Sequence, residues 1–389
     1  MTPTGSGTAV GAGAAGLAAA GLVAGYPELL VLSFGCFAVL AAAVTWCAAT
    51  RSRLTAHSVY VPQRPCEGDQ VTASVHVVNT GRRASVPAVA TETTDGTRHD
   101  VAVPALAAAE EHTVQYTFVA PRRGVLTVAR GEIASTDPFG MLRTVAARPQ
   151  HTQIRVHPRW HAGLLPLVTA QEHGGRPLAV RPRDDADFHS LRDYQRGDSL
   201  RLIHWPSTAR RGVTTVRRVE PPAEPVQLLL LDNASEAHTA QSFEEAVRIA
   251  ASLVVAVRRA GLGLDLRMTR GTAALRLPRT GRPGAWIPAL DLLSDVQLIP
   301  RADEARSPAV AAALEGLPAS HPTAVLGIVA GRLSGSAAAS LGVLSRRLQA
   351  AYIVQVGADL PPVRLGGLTH LRVTDSRGFA EAWQRTVKR

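Results

Sequence analysis

The side chains best equipped for chemistry gather between Asp187 and Arg211, where Phe188, Arg192, Asp193, Tyr194, Asp198, Arg201, His204, Trp205, Ser207 and Arg210 alternate aromatic, basic and acidic groups. Asp198, His204 and Ser207 supply the residue types of a hydrolytic triad. Such a triad needs a nucleophile exposed on a sharp turn and a base oriented by a third group. No nucleophile elbow, H-E-x-x-H motif or P-loop accompanies these residues, so nearness in sequence is all that links them, and no enzyme class is favoured. Guanidinium groups beside Tyr and Trp fit two other roles. They can form an internal ion-pair and packing network with Asp193 and Asp198, since a buried arginine must be paired. They can also anchor a protein partner, as Arg, Trp and Tyr do at interfaces. The two roles are compatible.

The local pattern gives this stretch a scaffold. Asp185 or Asp187 can cap a short helix in which Phe188, Leu191 and Arg192 share a face and Tyr194 lies near the end. Gly197 permits a left-handed turn, and Asp198 is a good cap for a helix over 199–204. Trp205 precedes Pro206 and is expected to leave that helix extended. Phe188, Leu191, Leu200, Ile203 and Trp205 would then anchor the stretch on a core, with Arg192, Arg201 and Arg210 paired internally or facing a partner.

Downstream, Val226–Leu231 reads as a buried strand ending in Asp232, the position where open α/β sheets place ligands. Ser242 and Glu245 have capping-box spacing before a helix that Gly261 stops. Further strands are expected at 264–268, 324–330, 352–356 and 371–374, and helices at 286–296, 337–349 and 379–387. This alternation predicts a mainly parallel sheet covered on both faces. Upstream, residues 54–150 show short alternating runs, of which Val71, Ala73, Val75 and Val77 are the clearest. Turn residues at regular spacing point to an immunoglobulin-like or fibronectin-like β-sandwich. His76 alternates with the inward valines and is expected to face solvent. Arg123 and Gly124 form a turn, and Asp137-Pro138-Phe139-Gly140 forms another that presents Phe139.

Residues 1–53 differ from the rest. Two uncharged apolar runs, about 9–25 and 29–49, flank a turn at Gly25–Glu28; the second is long enough for a membrane-spanning helix and the first is at the short end of the usual range, so the pair reads as a membrane hairpin. Arg51 and Arg53 follow the second run, so the positive-inside rule puts both ends, and the bulk of the chain, in the cytoplasm. Gly11-Ala12-Gly13-Ala14-Ala15-Gly16 satisfies the dinucleotide-binding spacing, but no strand precedes it; small residues that let helices approach explain it better. At 389 residues the chain is long enough for two soluble domains besides the hairpin. The net charge of +11 comes almost wholly from Arg, Lys388 being the only lysine. That bias reads as compositional, and with no nucleic-acid-binding motif it argues against a nucleic-acid partner. Cys36, Cys47 and Cys66 offer neither a disulfide framework nor a zinc spacing.

The run from Phe188 to Trp205, with Ser207, Ala209 and Arg210, resembles the signature of the bacterial family known as domain of unknown function 58. Arg123-Gly124 and Asp137-Pro138-Phe139-Gly140 match its pattern too. The resemblance implies two membrane helices, a β-sandwich, the signature over 151–220, and a von Willebrand factor A-like (Rossmann-like) domain over 221–389. It implies an adaptor working beside a MoxR-type AAA ATPase, with a transglutaminase-like membrane protein as a further partner, and no cofactor. Von Willebrand A domains often hold Mg²⁺ through Asp-x-Ser-x-Ser, hard oxygen ligands suiting that ion. Here Asp232 is the first ligand, but Ala234 and Glu236 occupy the hydroxyl positions, and Gly331-Arg332 stands where another acidic ligand is sought. Asp232 is therefore better placed to bond backbone amides of the next loop. The alternative to the adaptor is a metal-dependent ligand-binding module centred on Asp232.

Overall fold

The first apolar run folds as helix α1 (Gly5–Ala24), beginning earlier than its composition marks because Thr4 caps it: the Thr4 hydroxyl accepts from Gly7 N at 3.1 Å. Gly25 ends α1 with a φ of +71°, and Pro27 opens α2 (Pro27–Ala49) in the first turn, where its missing N–H costs nothing. In the computed structural model, residues 1–147, 150–166, 190–195, 203–218, 226–279, 282–300, 310, 313, 325–344, 350–358, 360–361 and 368–387 are described. They divide into two units, Met1–His157 and Pro158–Arg389.

In the first unit, α1 buries Gly7, Ala14 and Gly21, one residue every two turns, and α2 buries Ser33, Ala43 and Cys47. Close approach occurs at Gly21, where a Cβ would lie 3.0 Å from Leu30, whereas the glycines of the dinucleotide-like spacing, Gly13 and Gly16, have open space around them. Across the hairpin, the Ser33 hydroxyl donates to Ala14 O at 2.8 Å. Both helices are long and apolar enough to cross a membrane, and Leu22, Val23, Val31 and Phe34 are exposed.

The strands that follow form two antiparallel sheets. One orders β2 (Leu54–Val61), β3 (Gln70–Asn79) and β6 (Glu111–Val119). The other orders β1 (Thr2–Pro3), β8 (Leu142–Ala147), β7 (Gly124–Thr136), β4 (Ala88–Thr94) and β5 (Thr97–Val103), with β9 (Gln150–Val156) also on β7. Alternation works as expected on β3: Val71, Ala73, Val75 and Val77 are fully buried. His76 lies on the opposite face, stacked on His57 at 4.7 Å and hydrogen-bonded with Glu111. β7 is long because β9 pairs with its first half and β8 with its last residues. The sheet thus continues to Val156, beyond residue 150. The Glu92 carboxylate lies inside, accepting from Ser58 Oγ and Tyr116 Oη, each at 2.5 Å.

In the second unit, β12 (Val226–Leu231) sends Leu229 and Leu231 to one face and Leu228 and Leu230 to the other. The first face packs on α4 (Ala240–Arg259), α5 (Ile287–Asp295) and α7 (Ser376–Val387); the second packs on α6 (Gly335–Leu344). The sheet runs β14 (Ala274–Leu277), β13 (Gly263–Met268), β12, β15 (Val325–Ala330), β16 (Ala350–Val356), β17 (Thr369–Val373), parallel except for the edge strand β14. In chain order this is 3-2-1-4-5-6, the doubly wound arrangement. Helix α4 starts before the expected capping box. Thr239 is its cap, reciprocally bonded with Ser242, while Glu245 reaches Ser376 N at 2.8 Å and so fixes the start of α7. Trp383 of α7 is wholly buried against Tyr352 and donates to Leu165 O at 2.9 Å.

Candidate functional site

The signature folds differently from its expected helices. Ser190–Asp193 is a strand, β10, pairing antiparallel with β11 (Thr215–Arg218), with Leu191 opposite Arg217 and Arg192 opposite Val216. Four residues are too few for apolar spacing to separate the two periods, and the β-branched Thr214, Thr215 and Val216 supply a strand partner. The hairpin extends on both sides: Tyr194 N donates to Thr214 O at 2.7 Å, His204 N to Thr215 O at 2.8 Å, and Ile203 bridges Val216. Between the strands lies α3 (Trp205–Arg211). The expectation that Trp205 leaves a helix is therefore corrected. Trp205 opens one, because Pro206 falls in the first turn, where proline is pre-organised for helix. His204 is the cap, its Nδ1 at 2.8 Å from Ser207 Oγ and 3.3 Å from Ser207 N. That geometry spends the His204–Ser207 contact on closing a helical turn. Gly212, with φ +68°, ends α3.

Trp205 is also not a core anchor: it is 67% exposed. Ala209, Arg210 and Arg211 are exposed on the same short helix, while Ile203 and Ser207 are half-buried. This answers the orientation of Arg210, which points outward. Phe188, Gly197, Asp198, Leu200 and Arg201 lie outside the described residues, as do residues 199–202 of the expected helix over 199–204; its last two residues, Ile203 and His204, pair with Val216 and Thr215 instead of ending a helix.

At the C-terminal end of the large sheet, Asp232 is 1% exposed. Its Oδ1 accepts from Thr269 Oγ1 at 2.7 Å and from Ala234 N at 3.2 Å. Burial pushes the Asp232 carboxyl up to about 6, against the opposing effect of those two donors. Asn233 ties the neighbouring loops, accepting from Arg270 N at 2.9 Å and donating to Arg270 O at 3.2 Å. The crevice between β12 and β15, where the strand order reverses, is filled by the loop before α4. Gly331 packs so tightly that a Cβ would lie 2.0 Å from Ala237 O, and Arg332 N donates to that oxygen at 2.8 Å. His238, on this loop, is 8% exposed, and burial holds its imidazole down at about 4. Among the described residues no cluster of three His, Cys, Asp or Glu side chains could hold a metal ion. Glu236 instead pairs with Arg270. Sequence reading missed Thr269, Asn233 and His238, because their convergence depends on β13 lying beside β12.

In the first unit, Gly124 opens β7 with a φ of +121° directly after Arg123. At the other end of β7, Asp137 is 3% exposed and its carboxylate accepts from Phe139 N at 2.9 Å and Leu142 N at 2.5 Å. Gly140, with φ +67°, donates to Asp137 O and completes the turn. Phe139 at its tip is 59% exposed.

The arrangement defines a chain with two apolar N-terminal helices, a β-sandwich and a doubly wound α/β region. The sandwich carries a match to the CARDB family over residues 51–133. Residues 190–366 match the family described as "Protein of unknown function DUF58", the family that the signature resembles. No curated protein matches. Among solved structures, the CARDB domain of a Pyrococcus furiosus protein in complex with di-metal ions is 15% identical, covering 28% of this chain and 94% of that chain, with a TM-score of 0.23. A β-glucosidase from Listeria innocua in complex with glucose is 17% identical, covering 27% of this chain and 16% of its own, with a TM-score of 0.21.

Proposed function

We propose that the chain is a membrane-anchored accessory protein, not an enzyme, whose second unit docks an AAA ATPase of the MoxR type through the signature. The observation that supports this reading is the exposure of Trp205, Arg210 and Arg211 on one short helix of the signature. An exposed indole and two exposed guanidinium groups carried by one seven-residue helix have the composition of an interface anchor. The ATPase as partner comes from the family resemblance, and a transglutaminase-like membrane protein is a further partner on the same ground. The doubly wound order with an antiparallel edge strand supports a von Willebrand A-like reading of the α/β region. The hairpin spans the membrane with both ends in the cytoplasm, a reading supported by Arg51 and Arg53 at its exit. The full chain in lipid nanodiscs, titrated with a MoxR-type ATPase with and without ATP, tests the adaptor. Binding that weakens at least tenfold in the Trp205→Ala/Arg210→Ala variant is the expected result, about 1.4 kcal/mol. Absence of binding in every nucleotide state overturns the reading.

A further inference from the structure

The Asp137–Gly140 turn is fastened to the mouth of the membrane hairpin. Thr4, the cap of α1, donates through Oγ1 to Gly140 O at 2.6 Å and to Met141 O at 2.9 Å, and its N–H donates to Met141 O at 2.9 Å. Thr2 and Pro3 pair with Arg143 and Leu142. Gly7, one turn into α1, sits against the same carbonyl so closely that a Cβ would lie 2.2 Å from Met141 O. Helix α2 returns to this end and also meets β8. The 20 residues of α1 measure about 30 Å, the thickness of the hydrocarbon layer. No length of α1 is left over to hold the sandwich away from the bilayer, so a turn bonded to its first residues lies at the interface. The only part of that turn free to meet lipid is its apolar tip, since the Asp137 carboxylate faces inward onto Phe139 N and Leu142 N.

From this we infer that Phe139 inserts into the interfacial layer of the bilayer that the hairpin spans. Trp46, half-exposed on the last turn of α2, lies at the same end of the hairpin and belongs to the same aromatic belt. Lipid is thus a ligand of the sandwich itself, gripped by the turn that also holds α1. This inference rests on the membrane reading of the hairpin, and the experiment separates the two.

The test places a nitroxide on Phe139→Cys in the full chain, with Cys36→Ala, Cys47→Ala and Cys66→Ser, in vesicles of phosphatidylcholine and phosphatidylglycerol. Accessibility to oxygen is compared with accessibility to a water-soluble nickel chelate. A label on Val125→Cys, 48% exposed at the opposite end of β7, reports the aqueous value. A label on Val31→Cys reports the span. The expected result is an oxygen-to-nickel ratio several-fold higher at 139 than at 125, and highest at 31. Equal ratios at 139 and 125 with a lipid-like value at 31 overturn the inference and spare the anchor. A water-like value at 31 overturns both. Hydroxyl-radical labelling of the unsubstituted chain in the same vesicles gives an independent reading that needs no variant to fold. After correction for intrinsic reactivity, Phe139 should be modified several-fold less than Trp205; equal modification overturns the inference.

Discussion

The turn in the first unit and the signature helix in the second solve one problem with different means. Each exposes an aromatic next to a proline, Phe139 after Pro138 and Trp205 before Pro206, and each holds it with one polar side chain. In the turn, the buried Asp137 carboxylate binds two amides and the exposed face is apolar. In the helix, the His204 ring closes a single turn and the short helix that begins with Trp205 ends in exposed arginines. The difference teaches that exposure alone does not name a partner. The company of the aromatic does: a bare phenyl on an apolar tip suits lipid, and an indole on a helix that also carries guanidinium groups suits protein.

The comparison predicts a ranking of effects. Asp137→Ala leaves two part-buried amides of the turn without their acceptor and should cost about 2–4 kcal/mol in the melting of the first unit. Equal stability would mean that the turn is held from elsewhere.

Next comes Asp232→Asn, which keeps an acceptor for Ala234 N and removes the charge. The folded value of about 6 lies above the unfolded one, so the Asp232 contribution is complete below about pH 4 and is lost as pH rises through 6. His238 runs the other way: its folded value of about 4 lies below the unfolded one, so the folded state gains as pH rises from there toward 6.5. The two oppose each other, while His161 and His370, which burial holds below the usual imidazole value, add to the rise, so the second unit should gain stability with pH in that window less steeply than a variant lacking the Asp232 charge. In Asp232→Asn, denaturant titrations should show the climb steepen, by on the order of 2–3 kcal/mol across it. An unchanged slope in the variant would remove Asp232 as the balancing group.

His204→Ala should cost about 1 kcal/mol, the usual worth of a helix cap, visible in the second unit alone. The smallest effect belongs to the aromatics. Trp205→Ala and Phe139→Ala should each change stability by less than about 0.5 kcal/mol in detergent, since both are exposed. A cost of several kcal/mol for Trp205→Ala would return it to the role of core anchor.

Legibility followed the range of the interactions. Leu228–Leu231, Val71–Val77 and the apolar helices could be read because burial imposes a period on each segment by itself. The helix α4 start went to Thr239 instead of Ser242 because both have cap chemistry and only the partner of Glu245, the Ser376 amide, decides between them. The signature failed more fully. Residues 190–193 became a strand because a partner at 215–218 was there to pair with, and no local pattern records a partner. The same holds for the crevice, where Asp232 was legible from its place after a strand, but the Thr269 hydroxyl that bonds it was not.

A soluble domain hung from a bilayer by a single flexible linker keeps its rotational freedom, and any encounter must wait for the right face to turn. Here the short pairing of Thr2–Pro3 with β8 joins the entry of α1 to the sheet, and α2 returns to the same strand, so the hairpin meets the sandwich at two points. Two attachments leave rocking about the line that joins them and remove free swivel about the hairpin's long axis. Were the hairpin to span a bilayer, the N-terminal strand would act as a compass needle for the sandwich: it would set which edge of the sheets faces the lipid, and it would remove orientational entropy before any partner arrives.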